Sequence, residues 1–290
     1  MKFYLPEIRN DFEGFAALTQ LYSQTRNCLF ENIEIDMRAT SWFDADMCSV
    51  FGAILYSLRS NLNNVTLTNI PPGVKQILSK NGFLVHYGQA LNIADHWGTT
   101  IFYKRFNIGE RRYFSDYIDN EFINREEIPQ MSHALLKKFR ESLFEIFDNS
   151  MIHSRTELGV FSCGQFFPNR NRLDFIVVDL GVGIRKKVCD HLEFDISPEQ
   201  AIEWATQETN TTKRGTPGGL GLKLLSNFID LNSGRIQIVS DAGYWCRKNR
   251  NTITRRLDHP LPGTAVSLEI NTADTNSYRL SHETSLDDIF

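Results

Sequence analysis

Hydrophobic positions along this chain recur with two different periods, and the alternation between them outlines its elements. Ile33-Glu34-Ile35-Asp36-Met37 and Val65-Thr66-Leu67-Thr68-Asn69 alternate apolar and polar residues, the period of a strand. Between them Met47, Val50, Phe51, Ile54, Leu55 and Leu58 follow helical spacing, which predicts a helix with Asp44 as its N-cap. Pro71-Pro72 opens a second helix, with an apolar stripe at Val74, Ile77 and Leu78 and a stop at Gly82. One more strand is predicted over 99–106. Strands joined by helical crossovers predict a small α/β domain over 1–107.

The pattern then changes. Residues 108–128 are charged and aromatic and predict a linker helix. From Pro129 a long helix is predicted, with Leu136, Phe139, Leu143, Ile146 and Phe147 on its core stripe. Glu145 lies about 200° round from Leu143 and Phe147, so it falls on the other face, and Asn149 joins it there. A strand pair (159–167 and 172–180) follows, then a lid-like stretch of helix and polar loop to Thr216. A helix from about Leu220 and strands over 235–240 and 264–270 complete the second half. The fold class is α+β: an α/β domain over 1–107, a linker helix over 108–128, an α/β sandwich over 129–271, and a polar tail over 272–290 expected to be loose.

Composition adds mainly exclusions. A chain of 290 residues with a formal charge of -4 has no overall pull toward nucleic acid or an anionic membrane. The basic clusters Arg247-Lys248-Asn249-Arg250 and Arg255-Arg256 fit solvated hairpin tips. Five scattered cysteines without a C-x-x-C suit reduced thiols in a cytoplasmic protein, and argue against a disulfide framework or a zinc site. The start "MKFYLPEIRNDF" has no apolar leader core, and no apolar run has membrane-spanning length.

The chemistry centres on "GTPGGLGLKLL" (215–225), a Gly-rich turn before an apolar helical run. It is not a P-loop, because Lys223 is followed by Leu224, and it lacks the third glycine of a dinucleotide fingerprint. Upstream stand Glu145-x-x-x-Asn149 and Asp179-Leu180-Gly181-Val182-Gly183; the turn itself supplies Gly218-Gly219-Leu220-Gly221-Leu222; Gly263-Thr264 follows. In this order, over roughly 130–271, the set resembles the GHKL (Bergerat-fold) superfamily of gyrase-type and mismatch-repair ATPases, heat-shock chaperones, histidine kinases and anti-sigma serine kinases.

That resemblance implies a site for ATP and Mg²⁺. Asp179 would accept the exocyclic amine of adenine, a charged hydrogen bond contributing about 1.5–3 kcal/mol. Gly181 and Gly183 would let the backbone pass close to the base. Asn149 would give Mg²⁺ a neutral oxygen. Gly218, Gly219, Leu220, Gly221 and Leu222 would turn backbone N–H groups toward the phosphates at a helix start. Thr264 would sit by the adenine edge, and Lys213, with Arg214, would reach the γ-phosphate from the lid. Glu145 would act as general base. Ile152 stands where histidine kinases carry Lys, which brings "EIFDNSMIHS" closer to the anti-sigma serine kinases. His133 is too near Glu145 for a separate phosphoacceptor hairpin, and His153 would either orient Glu145 or a phosphate, or be structural.

"IEIDM", "SWFDADMCSVFGAILYSLRS" and "VTLTNIPPGVKQILSKNGF" resemble a STAS domain, the fold of anti-sigma-factor antagonists. Antagonists carry a phosphorylatable Ser after the Asp of the helix-start motif; here the run is Asp44-Ala45-Asp46. Asp46 would either imitate a fixed charge at the helix N-terminus or simply cap it. Together the resemblances imply an ATP-binding regulatory ATPase or Ser/Thr kinase, with ATP or ADP as ligand and a regulatory protein as partner, whose nucleotide state controls a STAS-like module. They admit a homodimer. One alternative is a non-catalytic, nucleotide-gated interaction module. A lower-ranked one, a DNA-processing ATPase, rests on "EIFDN" and the basic 247–256 stretch.

Overall fold

In the computed structural model, residues 1–88, 93–153, 156–207, 210, 220–280 and 283 are described, the side chains of 152, 153 and 220 aside. The chain is mixed α/β, with a parallel sheet and a larger antiparallel sheet. The parallel sheet has the order β1 (Lys2–Tyr4), β2 (Asn32–Asp36), β3 (Asn64–Thr68). Its crossovers carry α1 (Phe12–Thr25) and α2 (Cys48–Ser60), and α3 (Pro72–Lys80) follows β3. Asp11 starts α1 by accepting the Gly14 N–H at 3.0 Å. Every residue from Cys48 to Leu55 is buried, because α2 lies between the parallel sheet and the larger one.

Asp44 does not cap α2. A 3₁₀ turn (Ala45–Met47) precedes the helix, and the Asp44 side chain makes no cap bond. Its carboxylate accepts instead from the Asn10 N–H at 2.9 Å and the Trp42 indole at 2.7 Å. It faces the Arg172 guanidinium at 3.3 Å. A partly buried guanidinium is a stronger partner for a carboxylate than a helix end.

The antiparallel sheet has the order β4 (Thr100–Phe106), β5 (Val160–Phe167), β6 (Arg172–Asp179), β8 (Asn251–Asn271), β7 (Arg235–Lys248). The strand expected to close the first half is therefore an edge strand of this sheet, paired from Thr100↔Gln165 to Phe106↔Val160. The reason lies in its side chains. Tyr103 joins the core under the N-terminal layer while Ile101 and Phe106 join the core on the opposite face, so the strand needs both layers.

That opposite face is covered by α4 (Arg111–Ile118), α5 (His133–Asp148) and α8 (Leu220–Asn232). Strand β6 shows the division: Leu173, Phe175 and Val177 point to these helices, whereas Ile176 and Val178 point to the N-terminal layer. The two remaining helices, α6 (Gly183–Leu192) and α7 (Pro198–Thr206), pack on each other and on β7. The region read as a linker helix is core, since Phe114, Tyr117, Ile118 and Phe122 are buried and Phe114 stacks on Phe147 at 3.9 Å.

The tail is not loose as far as 280. Tyr278 bridges to Met131, is buried, and packs edge-on against Phe228 at 5.4 Å. Asp274 accepts from Asn232 at 2.9 Å, tying the tail to the end of α8. One buried aromatic with a satisfied polar neighbour is enough to hold such a polar stretch.

Phe114→Ala is expected to cost about 3–5 kcal/mol, the scale of a Phe removed from a core. Urea denaturation followed by circular dichroism checks this. A loss below about 0.5 kcal/mol, usual for a surface change, would mean that α4 is peripheral.

Candidate functional site

The sequence boxes gather on the helical face of the antiparallel sheet, in two groups. The first forms between α5 and α8. Leu143, Ile146 and Phe147 turn into the core, leaving Glu145 and Asn149 half-buried on the next face. Glu145 Oε2 accepts the backbone N–H of Gly221 at 2.9 Å, joining residues 76 apart in sequence. Gly221 leaves room for this contact: a Cβ there would lie 2.5 Å from that oxygen, and the flexible Glu145 side chain would have to shift. Asn149 ends α5 and begins a π-helical turn (Asn149–His153) that packs on β6. Departures of this kind from α-helical bonding recur at functional sites.

The second group forms where β6 ends. Asp179 is 2% exposed, and its Oδ1 accepts the Gly181 N–H at 2.8 Å. Across the ladder Asp179 pairs with Thr264. They share the parity of Val177 and Val266, whose side chains enter the helical core. Gly263 has φ +86, and a Cβ there would lie 2.1 Å from the Asp179 carbonyl oxygen. Gly183 has φ +73, with a would-be Cβ 3.0 Å from Ser240 Oγ. Both glycines are demanded by backbone conformation and by crowding.

Ser240 ties this group together, although no motif marks it. Its Oγ accepts the Ile184 N–H at 2.8 Å, donates to the Gly263 carbonyl at 2.8 Å, and lies 3.1 Å from Thr264 Oγ1. It stands at the end of a predicted strand, and only the pairing Ser240↔Thr264 reveals its position. Leu222 is partly buried against the helical core, so in this structure its side chain is a packing group.

Lys213, Arg214, Gly218 and Gly219 lie outside the described residues, as does the side chain of Leu220. A cavity of about 550 Å³ between α5 and α8 is lined by Glu145, Gly221, Lys223, Phe228 and Tyr278. Neither Asp179 nor Thr264 lines it, so it opens on the flank of the first group, away from the second.

The basic clusters lie where the sequence places them, on the solvent-exposed end of the β7–β8 hairpin, with Asn249 and Arg250 at its turn and 248–256 exposed. Arg247 forks onto Asp230 at 2.7 Å, Arg255 stacks over the Phe12 ring at 3.4 Å, and Arg256 meets Glu199 at 3.2 Å. Arg255 and Arg256 stay about half exposed (49% and 61%), so theirs are surface contacts, whereas Arg247 is the more shielded at 29%. Among the described residues no helix is long and apolar enough to cross a membrane, and no group of three His, Cys, Asp or Glu side chains is arranged to hold a metal ion.

Compared with protein-family models and with curated proteins, the sequence matches none.

Gly263→Ala should cost at least about 1–2 kcal/mol from its left-handed backbone alone, with crowding against Asp179 added. Ser240→Ala should cost about 0.5–1.5 kcal/mol, the net worth of one hydrogen bond. Urea denaturation of both variants measures this. Equal stability of Gly263→Ala and wild type would remove the close approach of β8 to the end of β6.

Proposed function

We propose that this chain is an ATP-binding regulatory protein of the GHKL type, hydrolysing ATP or transferring its γ-phosphoryl group to a Ser or Thr, with a STAS-like N-terminal layer. The observation that carries the proposal is the contact of Glu145 with Gly221. It brings a candidate base to the start of the helix that follows the Gly-rich turn, where a phosphate chain would lie. The pairing of Asp179 with Thr264, flanked by Gly183 and Gly263 in left-handed backbone that a side chain would strain, supports an adenine subsite on the same face of the sheet.

Asn149 would offer Mg²⁺ its side-chain oxygen, with phosphate and water completing the shell. Mg²⁺ would neutralise charge on the phosphates. Glu145 would give up its bond to Gly221 and accept a proton from water or a hydroxyl, while the freed Gly221 N–H would donate to a phosphate oxygen. A second proposal, a nucleotide-gated module without turnover, draws on the same contact, because a carboxylate held by a backbone N–H must be released before it can act as a base.

Asp179→Asn should abolish most binding of Mg²⁺-ATP to the full chain in isothermal titration, because an amide turns a donor toward the adenine amine. Binding as tight as wild type would overturn the adenine assignment.

Glu145→Ala should keep nucleotide binding and lose turnover by about 10²–10⁴-fold, read with labelled ATP. Asn149→Ala should weaken the Mg²⁺-dependent binding itself. Equal turnover by wild type and Glu145→Ala would remove the base role of Glu145, and absence of turnover in both would favour the module without catalysis.

A further inference from the structure

The opposite face of the same sheet holds a row of charge that the nucleotide proposal does not use. Gln165, Asp174, Glu269 and Arg235 stand abreast on β5, β6, β8 and β7 through the pairings Gln165↔Asp174, Asp174↔Glu269 and Arg235↔Glu269. Arg172 lies two residues before Asp174 on the same side. The N-terminal layer lays its own polar segment over this row. Gln165 accepts the Ala45 N–H at 3.1 Å, Asn10 Nδ2 donates to Asp46 at 2.6 Å and to Ser267 at 2.8 Å, and Gln237 donates to Asn10 at 2.7 Å.

The charges there do not balance. Asp44, Asp46, Asp174 and Glu269 are all buried, Asp46 and Asp174 completely. Facing them are Arg172 from β6 and Arg235 from β7, with the half-exposed Lys248 at 3.5 Å from Glu269. Arg235 is taken by Glu269 at 2.7 Å, and Arg172 is divided between Asp174 at 3.0 Å and Asp44 at 3.3 Å. Asp46 Oδ1 and both Asp174 oxygens have no hydrogen-bond partner among the described residues. From β5, the Cys163 thiol also faces Asp46 and adds no positive charge. Buried carboxylates with too few cations are neutralised by protons.

We propose that the contact between the N-terminal layer and the antiparallel sheet is a proton-linked latch, in which Asp46 and Asp174 take up a proton on docking and release it when the layer lifts away. Burial, and then the Asp44 carboxylate, pushes the Asp46 carboxyl well above the usual range. Burial, and then Asp46, does the same to Asp174. The sign follows. Once lifted, both groups return to the ordinary carboxylate value of about 3.9. The docked state therefore binds more protons above that pH, and docking weakens as pH rises toward the raised values. Each proton taken up makes opening about tenfold easier per pH unit. The latch is independent of any nucleotide.

Hydrogen exchange of the full chain tests it, followed from pH 5.5 to 8 and corrected for intrinsic rates, in peptides covering 40–58 and 160–178. Wild type should open more readily as pH rises, by up to about tenfold per unit for one proton. Asp46→Asn and Asp174→Asn, which keep size and remove titration, should each flatten that dependence, and either variant alone suffices. A flat wild-type profile, readable without any variant, would overturn the latch. So would an undiminished slope in a folded variant.

Discussion

The alternation of side chains along β6 is the constraint on which the rest of the structure depends. From Arg172 to Asp179 the strand is covered on both sides, so neither parity is a solvent face. One set, Leu173, Phe175, Val177 and Asp179, runs under α4, α5 and α8 and ends in the carboxylate beside Gly181 and Thr264. The other, Arg172, Asp174, Ile176 and Val178, meets the N-terminal layer. A one-residue slip would exchange the two sets, placing Asp174 in the helical core and Asp179 against α2. Few registers could be more strongly specified.

The same constraint explains how much was legible in the sequence. Helical and strand periods located α2, α5, β5 and β6, because those stripes are long and largely apolar. They did not tell which sheet a strand joins. The strand over 99–106 follows a run of N-terminal strands, yet its apolar residues serve both cores, a fact that only pairing with β5 exposes. Helix-start chemistry misled at Asp44 because the competing partner, Arg172, is remote in sequence. The tail looked loose since its anchor is a single aromatic, Tyr278, within a polar stretch. For the candidate site, the motif residues were legible and Ser240 was not: a lone strand-end serine acquires meaning only from its neighbour across the ladder.

The polar row beneath the N-terminal layer is energetically peculiar. Replacing buried ion pairs by well-packed apolar residues is commonly neutral or stabilising, so such a row is poor evidence for tight attachment. Nearby, the same interface has a conventional apolar part, where Phe161, Ile176, Val178 and Ala265 meet α2 and its neighbours. The layer is thus held by an apolar contact at one end of β6 and by charge at the other. Lifting the layer exposes that apolar part, which therefore supplies most of the attachment, while the charged part contributes the dependence on pH.

Because β6 carries Asp179 on one parity and Asp174 on the other, the candidate nucleotide site and the charged row share a single strand. Their separation along it, five residues, is about 17 Å of extended chain. A strand hydrogen-bonded on both sides transmits little by bending. Any influence of one site on the other would instead require a shift of the covering layers. The N-terminal layer meets the sheet through apolar packing, through the side chains of Asn10, Asp44 and Asp46, and through a few backbone groups, among them the Ala45 N–H donating to Gln165 and the Asn81 carbonyl accepting from the Tyr103 N–H. Its displacement would leave the sheet ladder intact. The antiparallel sheet is therefore the fixed element of this molecule, and regulation, if it crosses from one face to the other, must be carried by what lies above and below it.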